Sequence, residues 1–452
     1  MLKKNDIIPL EITDITGQGS GIGRTDGMAI FVPLTAIGDV TETRIVKVKK
    51  SYAFGRIEKI VKPSALRCQP DCECFAKCGG CVFRHISYDE ELKIKSRRVY
   101  DALTRIGGLS DFKLNDIVGC GSPDAYRNKS QMPIGRDKNG HIQMGFYGSH
   151  SHRIIDTDAC HLQPDEFNDI AYTVKKWAED NSISTYDEEK HTGLLRHLYM
   201  RKGFGSGEIM AALVINGETV PHLDELVSTL VKMNSNIKSI MLNINRNKTN
   251  VILGDRCVTV FGSDTITDEL CGLRFDISLL SFYQVNHDQT EKLYAKAAEL
   301  AQLTGSEYLI DLYCGAGTIG LSMADKVKKL TGIEIVPQAV ENAKENARNN
   351  SVSNAELLCM DASQAAQMLA EKGDHPDVVV IDPPRKGCDV NVVRSICLMS
   401  PKRVVYVSCE PETLARDLKA FCENGYRVNE VTPVDMFPRT ASVETVVLMS
   451  RS

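Results

Sequence analysis

The sequence predicts a multidomain α/β protein: a small all-β, OB-like barrel, a mixed α+β middle domain, and a doubly wound α/β domain. Three observations carry this expectation. The first 60 or so residues hold short apolar stretches broken by glycine clusters. From about Tyr126 to Leu280 strands and helical patterns mix without a fixed order. Beyond Asn286 strand and helix alternate, which is the signature of a parallel sheet. A length of 452 residues fits three domains at roughly 150 residues each.

Composition narrows the class. Hydrophobic residues make up 42% and charged residues 25%, which excludes a disordered chain or a collagen. No run approaches the roughly 18 to 20 apolar residues of a membrane helix. The opening MLKKNDIIPLEITDI has no signal-peptide core. A cytoplasmic protein with no membrane association is expected, and no obligate protein partner is implied. The net charge is −5, from 54 basic and 59 acidic residues. Between Thr41 and Lys62, however, seven Lys or Arg stand against two Glu. Such a strip, including Arg44, Lys47, Lys49, Lys50 and Arg56, can face phosphates in an otherwise acidic protein.

In the amino-terminal barrel, LEITDIT, AIFVPL, TRIVKVKKSY and GRIEKIV read as strands, and GQGSGIGRTDG as the break between them. Lys62–Ser64 marks a boundary. There follows a cluster of five cysteines, Cys68, Cys72, Cys74, Cys78 and Cys81, out of fifteen in the chain. Clustered thiols in a reducing compartment point to metal or catalysis. Three of them, spaced Cys72-x5-Cys78-Gly-Gly-Cys81, with Cys160 brought from afar, suit an iron–sulfur cluster better than the paired knuckles of zinc. The stretch YDEELKIKSRRVYDALTRIGG has helical spacing and ends at a Gly pair.

In the last domain, YLIDLYCGAGTIGLSMA reads as strand, glycine loop and helix, with Gly315, Gly317 and Gly320 in a GxGxxG pattern. Asp311 ends the strand before the loop. Glu334 ends the next strand, where a carboxylate can accept both ribose hydroxyls, and Asp361 follows the third, where an adenine edge would lie. A dinucleotide or S-adenosylmethionine would suit the site. The acidic Asp311 favours the sulfonium of S-adenosylmethionine over a pyrophosphate. The fourth strand ends in Asp382-Pro383-Pro384, a rigid ledge suited to methyl transfer to a flat base. The fifth ends in Cys409 and precedes a helix, whose dipole is expected to favour the thiolate. Glu444 opens an apolar strand and, if partly buried, gains a raised pKa suited to proton abstraction. A thiol and a base together solve one problem: carbon 5 of uracil is too weak a nucleophile to accept a methyl group unaided. Thiolate attack on carbon 6 activates it, and a base then removes the carbon 5 proton.

SFYQVN, DLYCGAG, IDPPRKG, VYVSCEPETLARDL and PRTASVETVVLM, in this order and spacing, resemble the RNA uracil-5-methyltransferase family. The resemblance implies a Rossmann-like catalytic domain with Cys409 as nucleophile and Glu444 as base. It implies that Gln284, Tyr313, Glu334, Asp382 and Asp361, with Gly315 and Gly317, bind S-adenosylmethionine or border the target base. It also implies that Phe282 stacks on an extruded uracil. Tyr313 stands where the family often has Phe, and Glu410 where it often has Asn. The amino-terminal barrel resembles a TRAM domain, an RNA-binding module. The cysteine pattern resembles the 4Fe-4S site, here Cys72, Cys78, Cys81 and Cys160, of the branch acting on 23S ribosomal RNA. The expected domains are residues 1–62, residues 63–88 with 125–280, and residues 89–124 with 281–452. Tyr126, Arg127, Lys129, Arg196 and His197 are candidate RNA contacts. The rival readings are a transfer-RNA uracil-5-methyltransferase and a non-catalytic RNA-binding or redox-sensing protein.

Overall fold

A computed structural model describes residues 2–149 and 151–451. Its first sheet has six strands, spatially ordered from Ile7–Glu11 through Val40–Val48, Tyr52–Lys62, Met28–Pro33 and Ser20–Thr25 to Asp14–Ile15. Leu10, Ile12, Ile30, Val32, Ile45 and Ala53 fill its core. The stretch read as a glycine break contains one of these strands, Ser20–Thr25. Its glycines serve close packing: a Cβ on Gly21 would lie 2.0 Å from Thr35 Oγ1, and one on Gly23 would lie 2.5 Å from Leu10 Cγ. TRIVKVKKSY, read as one strand, instead turns between Val48 and Tyr52.

The middle region is built on a seven-stranded sheet. Helices Asp165–Asp180 and Leu223–Met233 contribute Phe167, Val174, Trp177, Leu226 and Leu230 to its core. Strands and helices are mixed here, as expected between Tyr126 and Leu280. A two-stranded hairpin, Thr265–Leu270 with Leu273–Ser278, leads to the last sheet.

That sheet has eight strands, in the order Ala355–Cys359, Lys329–Glu334, Tyr308–Leu312, Val378–Ile381, Arg403–Ser408, Glu444–Arg451, Tyr426–Val434 and Lys113–Leu114. The first five are parallel. Glu444–Arg451 runs antiparallel to both its neighbours. The apolar runs VVVI and RVVYVS are buried on both faces, as central parallel strands require. Chain order reverses between Tyr308–Leu312 and Val378–Ile381, and ligands of open α/β sheets bind at such a point.

Helix Tyr88–Arg105 and strand Lys113–Leu114 precede the middle sheet in sequence, yet both belong to this last unit. Val99, Ala102 and Leu103 of the helix join the core formed by Leu414, Leu418 and Phe421 of helix Pro411–Glu423. On the same stripe of the helix, one turn before Val99, Lys95 is fully buried, bound to Glu91 at 2.7 Å and to Asp435 at 2.6 Å. Among the described residues no helix is long and apolar enough to cross a membrane.

Candidate active site

Strand ends at the switch point place the candidate residues. Asp311 lies one residue before the end of Tyr308–Leu312, and its Oδ2 accepts from Gly320 N at 2.9 Å. A Cβ on residue 320 would meet that oxygen at 2.7 Å, so the third glycine lets the carboxylate bond the backbone. Gly315 and Gly317 adopt φ of 56° and 83°, the left-handed region that glycine enters without strain. Tyr313 shares that region with φ of 66° and is a non-glycine residue, a sparsely populated conformation that tends to persist at functional sites.

Glu334 ends the second strand and folds back over the loop. It accepts from Gly315 N at 3.1 Å and from Val336 N at 2.9 Å. Asp361 caps helix Ala362–Glu371 through Ser363 N at 2.9 Å, which leaves its second oxygen without a bond among the described residues. Gln284 sits on the segment leading into helix His287–Ala301, half-buried and with no side-chain bond among the described residues. That segment is held by Asn128, whose Nδ2 donates to the Gln284 carbonyl at 2.7 Å, and by Asn286, whose Nδ2 donates to Met436 O at 3.1 Å. Phe282 projects from it with 68% of its surface exposed.

The register brings the proposed nucleophile and base together. Ser408 pairs with Thr445 across antiparallel strands, so Cys409 and Glu444 follow at the same end of the ladder. Glu444 is only 4% exposed and makes no side-chain hydrogen bond among the described residues. Burial, with Asp382 nearby, pushes its carboxyl up to about 8. Burial pushes Asp382 to about 7. Burial, with Asp382 and Glu334 adding repulsion, pushes Asp311 to about 8, and its Oδ1 has no partner among the described residues. The Cys409 thiol moves opposite to the dipole expectation. Desolvation first, then Glu444 and Asp382, raise it to about 11. A helix dipole acts as half a charge over one turn, whereas these are whole charges in a dry site. Three carboxyls with raised pKa, Asp311, Asp382 and Glu444, thus gather at these strand ends.

The cysteine loop forms a second site. Cys72, Cys74, Cys78, Cys81 and Cys160 line one cavity of about 240 Å³ together with Arg84, Arg127 and Lys129. Burial pushes Cys81 up to about 12 and raises Cys78 and Cys160, with neighbouring thiols adding repulsion. Cys68 lies apart, its Sγ donating to Ile86 O at 3.1 Å. Cys74 is tethered by Asp156 O at 3.5 Å and Thr157 Oγ1 at 3.6 Å. Among the described residues no three His, Cys, Asp or Glu side chains converge on a single-ion position.

Other sequence expectations change in three dimensions. Arg44 and Arg56 both bind Glu58, at 2.5 and 3.2 Å, whereas Lys47, Lys49 and Lys50 of the basic strip have no ion pair among the described residues. Arg196 is buried and donates to Asn245 O and Asn247 O. His197 is buried, and Tyr126 is buried with its hydroxyl on Pro438 O. These three are interior groups, and Arg127 and Lys129 border the cysteine cavity. Sequence reasoning missed Arg98, whose guanidinium binds Glu410 beside Cys409 from a helix more than 300 positions earlier.

Known proteins resemble this chain along its length. Residues 259–452 match the tRNA (Uracil-5-)-methyltransferase family and residues 2–57 match the TRAM domain. An uncharacterized RNA methyltransferase of Clostridium acetobutylicum is 45% identical over 452 residues, covering 100% of this chain and 98% of the relative. One from Staphylococcus aureus is 42% identical over 449 residues, covering 99% of each. Among solved structures, Pyrococcus abyssi tRNA (uracil-54, C5)-methyltransferase in complex with S-adenosyl-L-homocysteine superposes with a TM-score of 0.79. It is 28% identical and is matched over 98% of this chain and 100% of its own. With a TRAM domain at one end and a Rossmann-like methyltransferase fold at the other, this chain belongs to the S-adenosylmethionine-dependent RNA uracil-5-methyltransferase family.

Proposed function

We propose that the chain methylates carbon 5 of a uridine in 23S ribosomal RNA through a covalent bond between Cys409 and carbon 6 of the base. The observation that carries the chemistry is Cys409 and Glu444 facing each other at the end of paired strands, beside Asp382. Cys409 adds to carbon 6, carbon 5 takes the methyl group, Glu444 removes the carbon 5 proton, and the Cys409–carbon 6 bond breaks. S-adenosylmethionine supplies the methyl group as a sulfonium. Asp311, Glu334, Asp361, Gln284, Tyr313, Gly315 and Gly317 border its site, and Asp382 lies between that site and the base. Phe282 stacks on the flipped uracil.

The proposed division of labour assigns RNA capture to residues 1–62, the cysteine site to residues 63–88 with 125–280, and chemistry to residues 89–124 with 281–452. The barrel together with the cysteine loop supports the ribosomal substrate by resemblance. A transfer-RNA substrate is the second reading. It is favoured by the Pyrococcus abyssi enzyme, which is named for transfer RNA and aligns over its whole length. Incubating the protein with labelled S-adenosylmethionine and each RNA, both free of 5-methyluridine, decides between them. Label in 23S RNA alone is expected. Label in transfer RNA alone overturns the ribosomal assignment, and label in neither overturns the activity.

The carboxyl cluster makes its own prediction. Asp382, Asp311 and Glu444 have raised pKa values of about 7, 8 and 8, so they ionise as pH rises through that range. A bound sulfonium favours the ionised forms, and by linkage its affinity must climb as those protons leave. S-adenosylhomocysteine has a neutral sulfur and feels this less. Between pH 6 and 9 the affinity ratio of the two should rise on the order of tenfold, equivalent to one pKa unit of coupling. A ratio constant with pH, measured by calorimetry, would mean that the carboxylates do not face the sulfonium.

Cys72, Cys78, Cys81 and Cys160 are proposed to hold a 4Fe-4S cluster. Thiolates around a cluster stand a cluster's width apart, so they need not converge on one ion position. The three cations in the cavity wall suit an anionic group. Purified without oxygen, the protein should contain iron and sulfide, and Cys160→Ala should lose both while Cys68→Ala keeps them. Stoichiometric zinc without iron overturns the assignment.

A further inference from the structure

We propose that Arg98 is a positioning residue for the two catalytic side chains, tying the carboxylates of Glu410 and Glu412 after Cys409 to the backbone before Glu444, with its stem seated by Gly17 of the barrel. The proposal rests on the uracil chemistry above. Arg98 lies on helix Tyr88–Arg105, and its side chain is 7% exposed. Its Nη2 donates to Glu410, the neighbour of Cys409, and to Glu412 Oε2 at 2.7 Å. Its Nε donates to Glu412 Oε1 at 3.1 Å. Its Nη1 donates to the carbonyl of Ala441 at 3.0 Å, three residues before Glu444. One rigid, planar fork therefore grips the loops that carry the nucleophile and the base. The flexible point charge of a lysine could not span them.

The barrel enters through its turn. A Cβ at Gly17 would lie 2.4 Å from Arg98 Cδ and 2.7 Å from its Cγ, so the turn rests directly on the arginine stem. Asp14, on the strand that leads into this turn, pairs with Arg97 at 3.0 Å. Asp14 to Gly17 also wall a cavity of about 460 Å³ with Arg97, Arg98 and Glu412. An RNA-binding module thus touches the residue that braces the chemistry. Charge adds to the geometry. Cys409 faces Glu444, Asp382, Arg385 and Glu410. Burial, and Glu412 beside it, hold the Glu410 carboxyl up at about 7. Removing the guanidinium would leave two carboxylates uncompensated next to the thiol.

The test uses the full chain, with Arg98→Ala, Arg98→Lys, Arg98→Ala/Glu410→Gln and Gly17→Ala. Three quantities are read: S-adenosylhomocysteine affinity, the rate of covalent adduct formation with 5-fluorouridine RNA, and the pH midpoint of Cys409 alkylation by peptide mass spectrometry. Arg98→Ala should slow adduct formation at least tenfold and leave S-adenosylhomocysteine affinity within twofold. It should also move the alkylation midpoint upward, and adding Glu410→Gln should return it. Arg98→Lys should fall between. Gly17→Ala, outside the ion network, should slow adduct formation severalfold by displacing the stem. An unchanged adduct rate in Arg98→Ala overturns the proposal, as does a loss of rate matched by an equal loss of S-adenosylhomocysteine affinity. If Arg98→Ala does not fold, Gly17→Ala decides, and an unchanged rate there overturns the proposal. No adduct from the unaltered chain counts against the uracil chemistry instead, and the alkylation midpoints then still judge Arg98.

Discussion

Cys409→Ala abolishes methyl transfer, with a loss on the order of 10⁴-fold or more, as expected for removal of a covalent nucleophile. It leaves S-adenosylmethionine binding nearly intact, because cofactor contacts are assigned to other strands. The sheet core below should not notice the change, since Cys409 lies just beyond the end of Arg403–Ser408 and the change removes a single sulfur. With 5-fluorouridine RNA the unaltered protein forms a stable adduct and the alanine variant forms none. Normal turnover by Cys409→Ala would end the covalent mechanism. The thiol sits at about 11 in the chain alone. At neutral pH the thiolate fraction is then roughly one in ten thousand. The carboxylates that raise the thiol also attract a cation, and a cation among them lowers the thiol again. In the proposed mechanism, loading the methyl donor would then both supply the group to be transferred and ready the nucleophile.

Local chemistry was legible in the sequence, and chemistry assembled from distant segments was not. The glycine loop, the Asp-Pro-Pro ledge and the alternating strands announce themselves because each is one contiguous stretch whose spacing has a physical reason. The barrel strand Ser20–Thr25 was hidden because its glycines read as turn formers, while Thr35 and Leu10, which need the space, come from other strands. Arg44 reads as a phosphate contact until Glu58 on the paired strand neutralises it. Glu91 and Lys95 look like an exposed pair four apart on a helix. They are fully buried because Asp435 completes the charge balance from the other end of the chain. The thiol of Cys409 shows the same limit. Its helix is visible in sequence, but the carboxylates that outweigh the dipole lie on neighbouring strands.

Glu444→Gln separates the base from the nucleophile. In the proposed sequence, attack by Cys409 and methyl transfer precede removal of the carbon 5 proton, so a variant that lacks only the base should complete both and then stall. Glutamine keeps the shape and hydrogen-bonding reach of glutamate but has no basic oxygen. The site tolerates the change sterically and electrostatically. Glu444 is buried, without a side-chain partner among the described residues, and its carboxyl is held up at about 8. The folded chain therefore already accommodates a neutral group there at pH 7. By the same linkage a group with a raised pKa favours folding below its ordinary value and loses that contribution as pH rises through about 8. The glutamine variant should therefore be at least as stable as the parent at pH 9, measured by thermal unfolding. Its turnover should drop at least about a thousandfold, near the middle of the range for a positioned general base. The signature is a methyl-labelled protein–RNA band on a denaturing gel, formed with ordinary uridine and absent from Cys409→Ala. Normal turnover by Glu444→Gln would move the base elsewhere, with Asp382, raised to about 7 and adjacent, as the next candidate. Inactivity without a band would place Glu444 before methyl transfer, in holding the uracil against Cys409.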